Sequence, residues 1–285
     1  MLKNSTIQLL RLKFSFFLMP VYWLALSQTD HISIFRAVLI FFILHFLLYP
    51  ASNGYNSYMD RDTTSIGGLE NPPPPEKELF YVSLALDIAG LMAALFIDRY
   101  FFICTLLFIT ASRMYSYRGI RLKKFPVTGY LTAIVFQGAV VYYMTYHGSS
   151  TVFTNEIPFI PMTAASLLIG SFYPLTQIYQ HEADKADGVK TISILLGYRG
   201  TFIFTAITYS IAMTLLAFYF FNNLESERFL VILIWLLPVL CYFIWWFLQV
   251  RKNTAAANFR NTMRMNMIAS SCTNAAFICL LIIKP

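Results

Sequence analysis

Charge is scarce in this chain. Asp, Glu, Lys and Arg make up 12% of its 285 residues, about half the share usual in a soluble domain. With 58% apolar residues and a mean hydropathy of +0.60, that scarcity excludes a soluble globular protein. Cysteine is rare as well: Cys104, Cys241, Cys272 and Cys279 lie in apolar stretches without metal-ligand spacing, which points to buried small hydrophobes rather than a thiolate metal site. No basic domain stands outside the apolar stretches, so nucleic acid is not an expected partner. The first apolar stretch lacks a small-residue cleavage site and is expected to be retained.

What fills the chain instead is a series of apolar runs, each near the roughly 20 residues a helix needs to cross a bilayer. Nine spans are expected at 11–28, 33–52, 79–97, 100–117, 127–146, 157–178, 200–221, 229–250 and 264–283. The runs are continuous rather than alternating, which favours helices over a barrel. The fold class is therefore all-α, a polytopic membrane helical bundle. With a cytoplasmic N-terminus, seventeen basic residues fall on inner segments and four (Arg36, Arg99, Arg228, Lys284) outside. This asymmetry orients the protein and explains most of its net charge of +7.

Within this apolar chain, residues 49–61 align without a gap on residues 173–185. Tyr49/Tyr173, Pro50/Pro174, Tyr55/Tyr179 and Asp60/Asp184 are identical; Ser52/Thr176, Asn53/Gln177, Asn56/Gln180 and Arg61/Lys185 keep their chemistry. A repeat that preserves polar groups beside apolar spans suggests two related halves, plus a ninth span, forming one domain with a shared site. The repeats open the two longest loops, 53–78 and 179–199, both cytoplasmic in this topology and rich in Asp, Glu, Asn and Gln. The first carries Gly67-Gly68 and Pro72 to Pro75; the second carries Gly188 and Gly197.

An amide four residues before a carboxylate, as in Asn56/Asp60 and Gln180/Asp184, puts both oxygens on one helix face. The candidate metal set is Asn56, Asp60 and Asp62 from the first half and Gln180, Glu182, Asp184 and Asp187 from the second, with Asn53 and Gln177 beside them for substrate. Carboxylate and amide oxygens, with only His181 near, suit Mg2+ rather than zinc or copper, and Mg2+ commonly shares its shell with substrate phosphates. Asp60 and Asp184 are the expected catalytic acids. Between the fourth and fifth spans a basic stretch includes Arg118, Arg121 and Lys124. Arg118 and Arg121, one turn apart if helical, together with Lys124 and Lys190, are expected to meet a diphosphate. Aromatics reach 17%, mostly lipid-facing Phe and interfacial Tyr, with some available to line a pocket and stabilise a cation. Asp87, inside the third span, needs a partner at that depth.

In combination these motifs resemble the UbiA superfamily of intramembrane prenyltransferases, over nearly the whole chain. Asn56-Ser57-Tyr58-Met59-Asp60 matches the opening of that family's Asn-x-x-x-Asp-x-x-x-Asp motif, with Thr64 in place of the last Asp and Asp62 nearby. In the second motif Glu182, Asp184, Gly188 and Thr191 fit, while Gln180 replaces the leading Asp. The stretch Tyr115 to Pro126 and the run Thr191 to Gly197 are also similar to the family. The resemblance implies one domain over 1–285, a helical bundle around a cavity open to the membrane, and a prenyl diphosphate bound through Mg2+ and basic residues. Ionisation then gives an allylic carbocation, captured by an aromatic or other lipophilic acceptor. A terpene cyclase, quenching the cation with its own double bonds, is the rival reading. A transporter is disfavoured because the polar sets lie at helix ends rather than at the bilayer midplane.

Overall fold

The computed structural model describes residues 2–153 and 156–284, and nine helical segments organise them. They are α1 (Asn4–Gln28), α2 (Ile34–Asp60), α3 (Lys77–Ala94), α4 (Arg99–Ser116), α5 (Pro126–Ser149), α6 (Phe159–Ala186), α7 (Ile192–Asn222), α8 (Ser226–Lys252) and α9 (Phe259–Ile282). Seven are long and apolar enough to cross a membrane. The others, α3 and α4, are 18 residues each and carry charge along their length: Lys77, Glu78 and Asp87 in α3, Arg99 and Arg113 in α4. The nine expected segments all form helices. Several boundaries move: α2 runs on through the first repeat to Asp60, and α7 begins at Ile192 rather than near 200.

The outer faces repeat apolar residues at helical spacing, as in Ile203, Ile207 and Ile211 of α7 and Leu233, Leu237 and Leu240 of α8, all exposed. A stripe of that kind suits hydrocarbon. Inside, α6 packs along α7, α8 along α9, α9 along α1, and α2 along α3. Asp87 finds its partner in Arg113 of α4; the guanidinium also lies over the Tyr55 ring, 3.9 Å from its centroid. The pairing offsets much of the cost of holding an acid at that depth.

Irregular turns set how the inner helices aim their side chains. α2 widens into a π-turn over Ile43–Leu48 just before Pro50. Proline lacks an N–H and pushes against the carbonyl four residues earlier, so a looser turn there relieves the clash. The equivalent Pro174 lies inside α6, which instead tightens into a 3-10 turn over Ile178–Gln180. A third irregularity, the π-turn Val135–Val140 of α5, sits at a close approach of α5 to α6: a Cβ on Gly138 would stand 2.4 Å from Ser166 Cα. Only glycine permits that approach.

Candidate functional site

A cavity of about 290 Å3 opens between α1, α2, α4, α5, α6 and α9; α3, α7 and α8 contribute no lining residue among those described. One end is polar, lined by Arg11, Asn53, Asn56, Asp60, Asp62, Lys123, Gln177, Gln180 and Asp184. The other arm is apolar and aromatic, with Phe17, Val21, Leu24, Phe108, Ile169, Phe172 and Phe277. The two repeats thus meet across one chamber, α2 and α6 presenting acids from opposite sides.

Asp60 is almost wholly buried, with 5% of its side chain exposed, and is held by two cations: Lys123 Nζ donates to Oδ2, and Arg121 Nη2 lies 3.4 Å from Oδ1. Arg121 also pairs with Asp187 and donates to its backbone carbonyl at 3.3 Å. Asn56 donates to Ser116 Oγ at 3.0 Å, and Gln180 donates to Ser65 O at 3.2 Å. Tyr115 and Tyr173 share a hydroxyl–hydroxyl hydrogen bond. Arg11, in the left-handed break between the two parts of α1, donates to Gly67 O at 3.3 Å and Asn53 O at 3.2 Å, tying the loop after α2 over the chamber. That loop turns at Gly68, φ 87°, above Phe14.

Several expected residues stand elsewhere. Glu182 is exposed and outside the lining: two residues from Gln180 and Asp184, it lies roughly 200° around the helix from each. Arg118 is exposed and caps the end of α2, donating from Nε to Met59 O at 2.6 Å and from Nη2 to Asp60 O at 3.1 Å. It satisfies carbonyls that the helix leaves free. The expected helical turn joining Arg118 to Arg121 does not form, because α4 ends at Ser116 and Arg121 adopts left-handed backbone, φ 51°. Lys124 and Lys190 are exposed and outside the lining, joined through the Lys190 N–H and the Lys124 carbonyl at 3.2 Å. Asp187 is outside it too, as the counterion of Arg121. Thr64 falls in the loop, since left-handed Arg61, φ 56°, ends α2 at Asp60; Asp62 reaches the chamber in its stead. Sequence reasoning passed over Lys123, Arg11, Tyr115 and Tyr173. The Tyr49/Tyr173 identity flagged the last, but Tyr49 is packed in the core.

The donor set fits a hard cation. Asp60, Asp62, Asp184 and the amide oxygens line the polar end without sulfur or imidazole, and Gln177 Oε1 is buried with no hydrogen-bond partner. Burial, reinforced by neighbouring Asp60, pushes the Asp62 carboxyl up to about 6, against the pull of Lys123 and Arg11. Negative charge is crowded there, which a cation would relieve. No group of three acid, His or Cys side chains is already gathered for a metal among the described residues; Asp60 is turned to its basic partners instead.

The sequence model of the UbiA prenyltransferase family matches residues 17–268. No curated protein matches the chain. Among solved structures, the fold is similar to a UbiA homologue from Archaeoglobus fulgidus bound to GPP and Mg2+, with TM-score 0.71 and 19% identity over 98% of this chain and 100% of that one. It is similar to an apo UbiA homologue from Aeropyrum pernix K1, with TM-score 0.70 and 15% identity over 94% and 98%. It also resembles a digeranylgeranylglyceryl phosphate synthase structure, with TM-score 0.62 and 19% identity over 98% and 97%.

Proposed function

The chain belongs to the UbiA prenyltransferase family, and from that premise we propose that it is a Mg2+-dependent intramembrane enzyme that ionises a prenyl diphosphate and transfers the prenyl group to a lipophilic acceptor. One observation carries the reading: Asp60 and Asp184, one from each repeat, share the polar end of a chamber whose other arm is apolar. That shape suits a molecule with an anionic head and a hydrocarbon tail. Solved relatives that bind GPP or DMAPP together with Mg2+ support the substrate class and the metal.

Asp60, Asp62 and Asp184, with Asn56, Gln180 and Gln177, are the residues that would hold Mg2+. Bound there, the metal neutralises charge growing on the leaving diphosphate. Lys123 and Arg121 do the complementary work. Both are paired with Asp60, and Lys123 itself lines the chamber; passing to diphosphate oxygens, one set of cations would serve the acid and then the leaving group. Tyr115 and Tyr173 hold each other at the junction of the two arms, and Phe108, Phe136 and Phe172 offer π faces where an allylic cation would form. The apolar wall excludes water from that cation. With the N-terminus cytoplasmic, the chamber's polar end faces the cytoplasm.

Purified protein incubated with prenyl diphosphates of graded length is expected to release diphosphate and form lipid-soluble product only when Mg2+ is present. Absence of release with every length tested would overturn the proposal.

A further inference from the structure

The apolar arm is interrupted by neutral hydrogen-bonding groups that the chemistry at the mouth does not use. On α9, Asn266, Ser270 and Thr273 recur at helical spacing and line the chamber together with Phe277; on α5, Gln137 lines it from the π-turn. Gln137 stands eleven residues past the start of α5 at Pro126, and Ser270 eleven past the start of α9 at Phe259. Both helices begin at the acidic end: Lys123, paired with Asp60, lies three residues before the start of α5, and the Phe259 ring lies edge-on to Tyr179, 5.3 Å away. Gln137 and Ser270 are therefore at matching depth, about 16 Å into the bundle.

Asn266 decides what such a belt is for. It is only 5% exposed, and its Nδ2 has no hydrogen-bond partner among the described residues. A buried amide without a partner costs free energy, and a hydrocarbon tail lying against it would offer nothing in return. Gly138, beside Gln137, lets α5 approach α6, and the π-turn around it sets where Gln137 is aimed. No Lys or Arg lines the chamber at this level; its cations, Arg11 and Lys123, are at the mouth. A carboxylate held here would lack a counter-charge.

We propose that this belt is the acceptor subsite, and that the acceptor is an uncharged, oxygen-bearing lipophile such as a phenol, quinol or alcohol, held through its oxygen by Asn266, Ser270 and Gln137. The inference rests on the prenyltransferase reading and names its second substrate. The acceptor oxygen or adjacent ring carbon forms the new bond to the prenyl carbon as diphosphate leaves, and the acceptor loses one proton.

The test supplies purified protein with Mg2+, a prenyl diphosphate that it ionises, and two acceptor panels: neutral phenols, quinols and alkyl alcohols, and carboxylates of matched size. Prenylated product is expected from the neutral panel. Asn266→Leu, Ser270→Ala and Gln137→Leu should each raise the acceptor KM about five- to tenfold while the KM for prenyl diphosphate holds. Asn266→Gln or Gln137→Asn should recover part of the loss, and unfolding temperatures in detergent identify any variant that fails to fold. An unchanged acceptor KM in all folded variants, a rise confined to the prenyl diphosphate KM, preference for carboxylates, or product formed without acceptor would each overturn the subsite while leaving ionisation intact. Absence of diphosphate release in the wild type would overturn both readings.

Discussion

Lys123→Met separates the two duties assigned to the cations at the mouth. In the native protein Lys123 Nζ pairs with the carboxylate of Asp60, only 5% exposed, and Arg121 supplies a longer contact at 3.4 Å while also serving Asp187. Orphaning one partner of a buried pair costs about 3–5 kcal/mol. Here Arg121 remains, so a stability loss of roughly 2–3 kcal/mol is expected, read from detergent unfolding. The functional signature runs in two directions. With its closest counter-charge gone, Asp60 becomes a better ligand for a divalent cation, and the Mg2+ concentration at half-maximal rate should fall about tenfold, or about 1.4 kcal/mol, a fraction of the ~4 kcal/mol between unit charges 4 Å apart near a protein surface. The KM for prenyl diphosphate should rise by a similar factor because one of its cations is missing. Steady-state kinetics with Mg2+ and prenyl diphosphate varied independently give both numbers. A residue of purely structural importance would worsen both together; a raised Mg2+ requirement, or two unchanged constants, would refute the shared role.

Asp184→Asn should lower turnover at least about 100-fold with the protein still folded, because the second repeat then offers no carboxyl group to the chamber; wild-type rates would remove it from the site. Glu182→Gln should leave both kinetic constants within about twofold, since its exposed side chain stands outside the lining. Asp62→Asn tests the crowding of charge: its carboxyl sits at about 6 rather than the ordinary 3.8, so the folded state holds that proton more tightly than the unfolded chain. The associated stabilisation is complete below pH 4 and is lost as pH rises through 6, a swing of about 3 kcal/mol. Without Mg2+, the Asn variant should therefore match wild type at pH 4 and unfold at a higher temperature than wild type at pH 7.5; equal curves at both pH values would count against a buried Asp62.

Hydropathy located all nine helical segments among the described residues, seven of which are long and apolar enough to cross a membrane. It placed the ends poorly for a physical reason. The last turns of α2, from Asn53 to Asp60, are polar, and a window that scores transfer into lipid ends the span before them, yet backbone hydrogen bonding and capping by Arg118 carry the helix through. The repeat singled out Asp60 and Asp184, which the fold brings to one chamber, whereas Glu182 and Asp187, expected beside them, stand outside its lining. The cations were not legible, since selecting Arg118 and Arg121 assumed helical spacing across a segment that leaves the helix after Ser116. Only the left-handed turn at Arg121, which brings Lys123 round to Asp60, reveals which of several neighbouring positive charges meets the acid. The polar belt on α9 was equally hidden, because one Asn, one Ser and one Thr barely alter the hydropathy of a 24-residue helix.

The repeat itself has divided its labour. Tyr49 is packed in the core while Tyr173 lines the chamber and bonds Tyr115; Tyr55 lies under Arg113 on the far side of α2, whereas Tyr179 lines the chamber and meets Phe259. The local geometry differs as well: a π-turn precedes Pro50 in α2, whereas a 3-10 turn follows Pro174 in α6. Asn53 with Gln177, Asn56 with Gln180, and Asp60 with Asp184 still all reach the lining. Their surroundings differ, since Asp60 is met by Lys123 and Arg121 while Asp184 pairs with no basic side chain among the described residues. The asymmetry around two identical residues therefore lies in their counter-charges: one acid of the repeat is ion-paired from the segment between α4 and α5, and among the described residues the other is not.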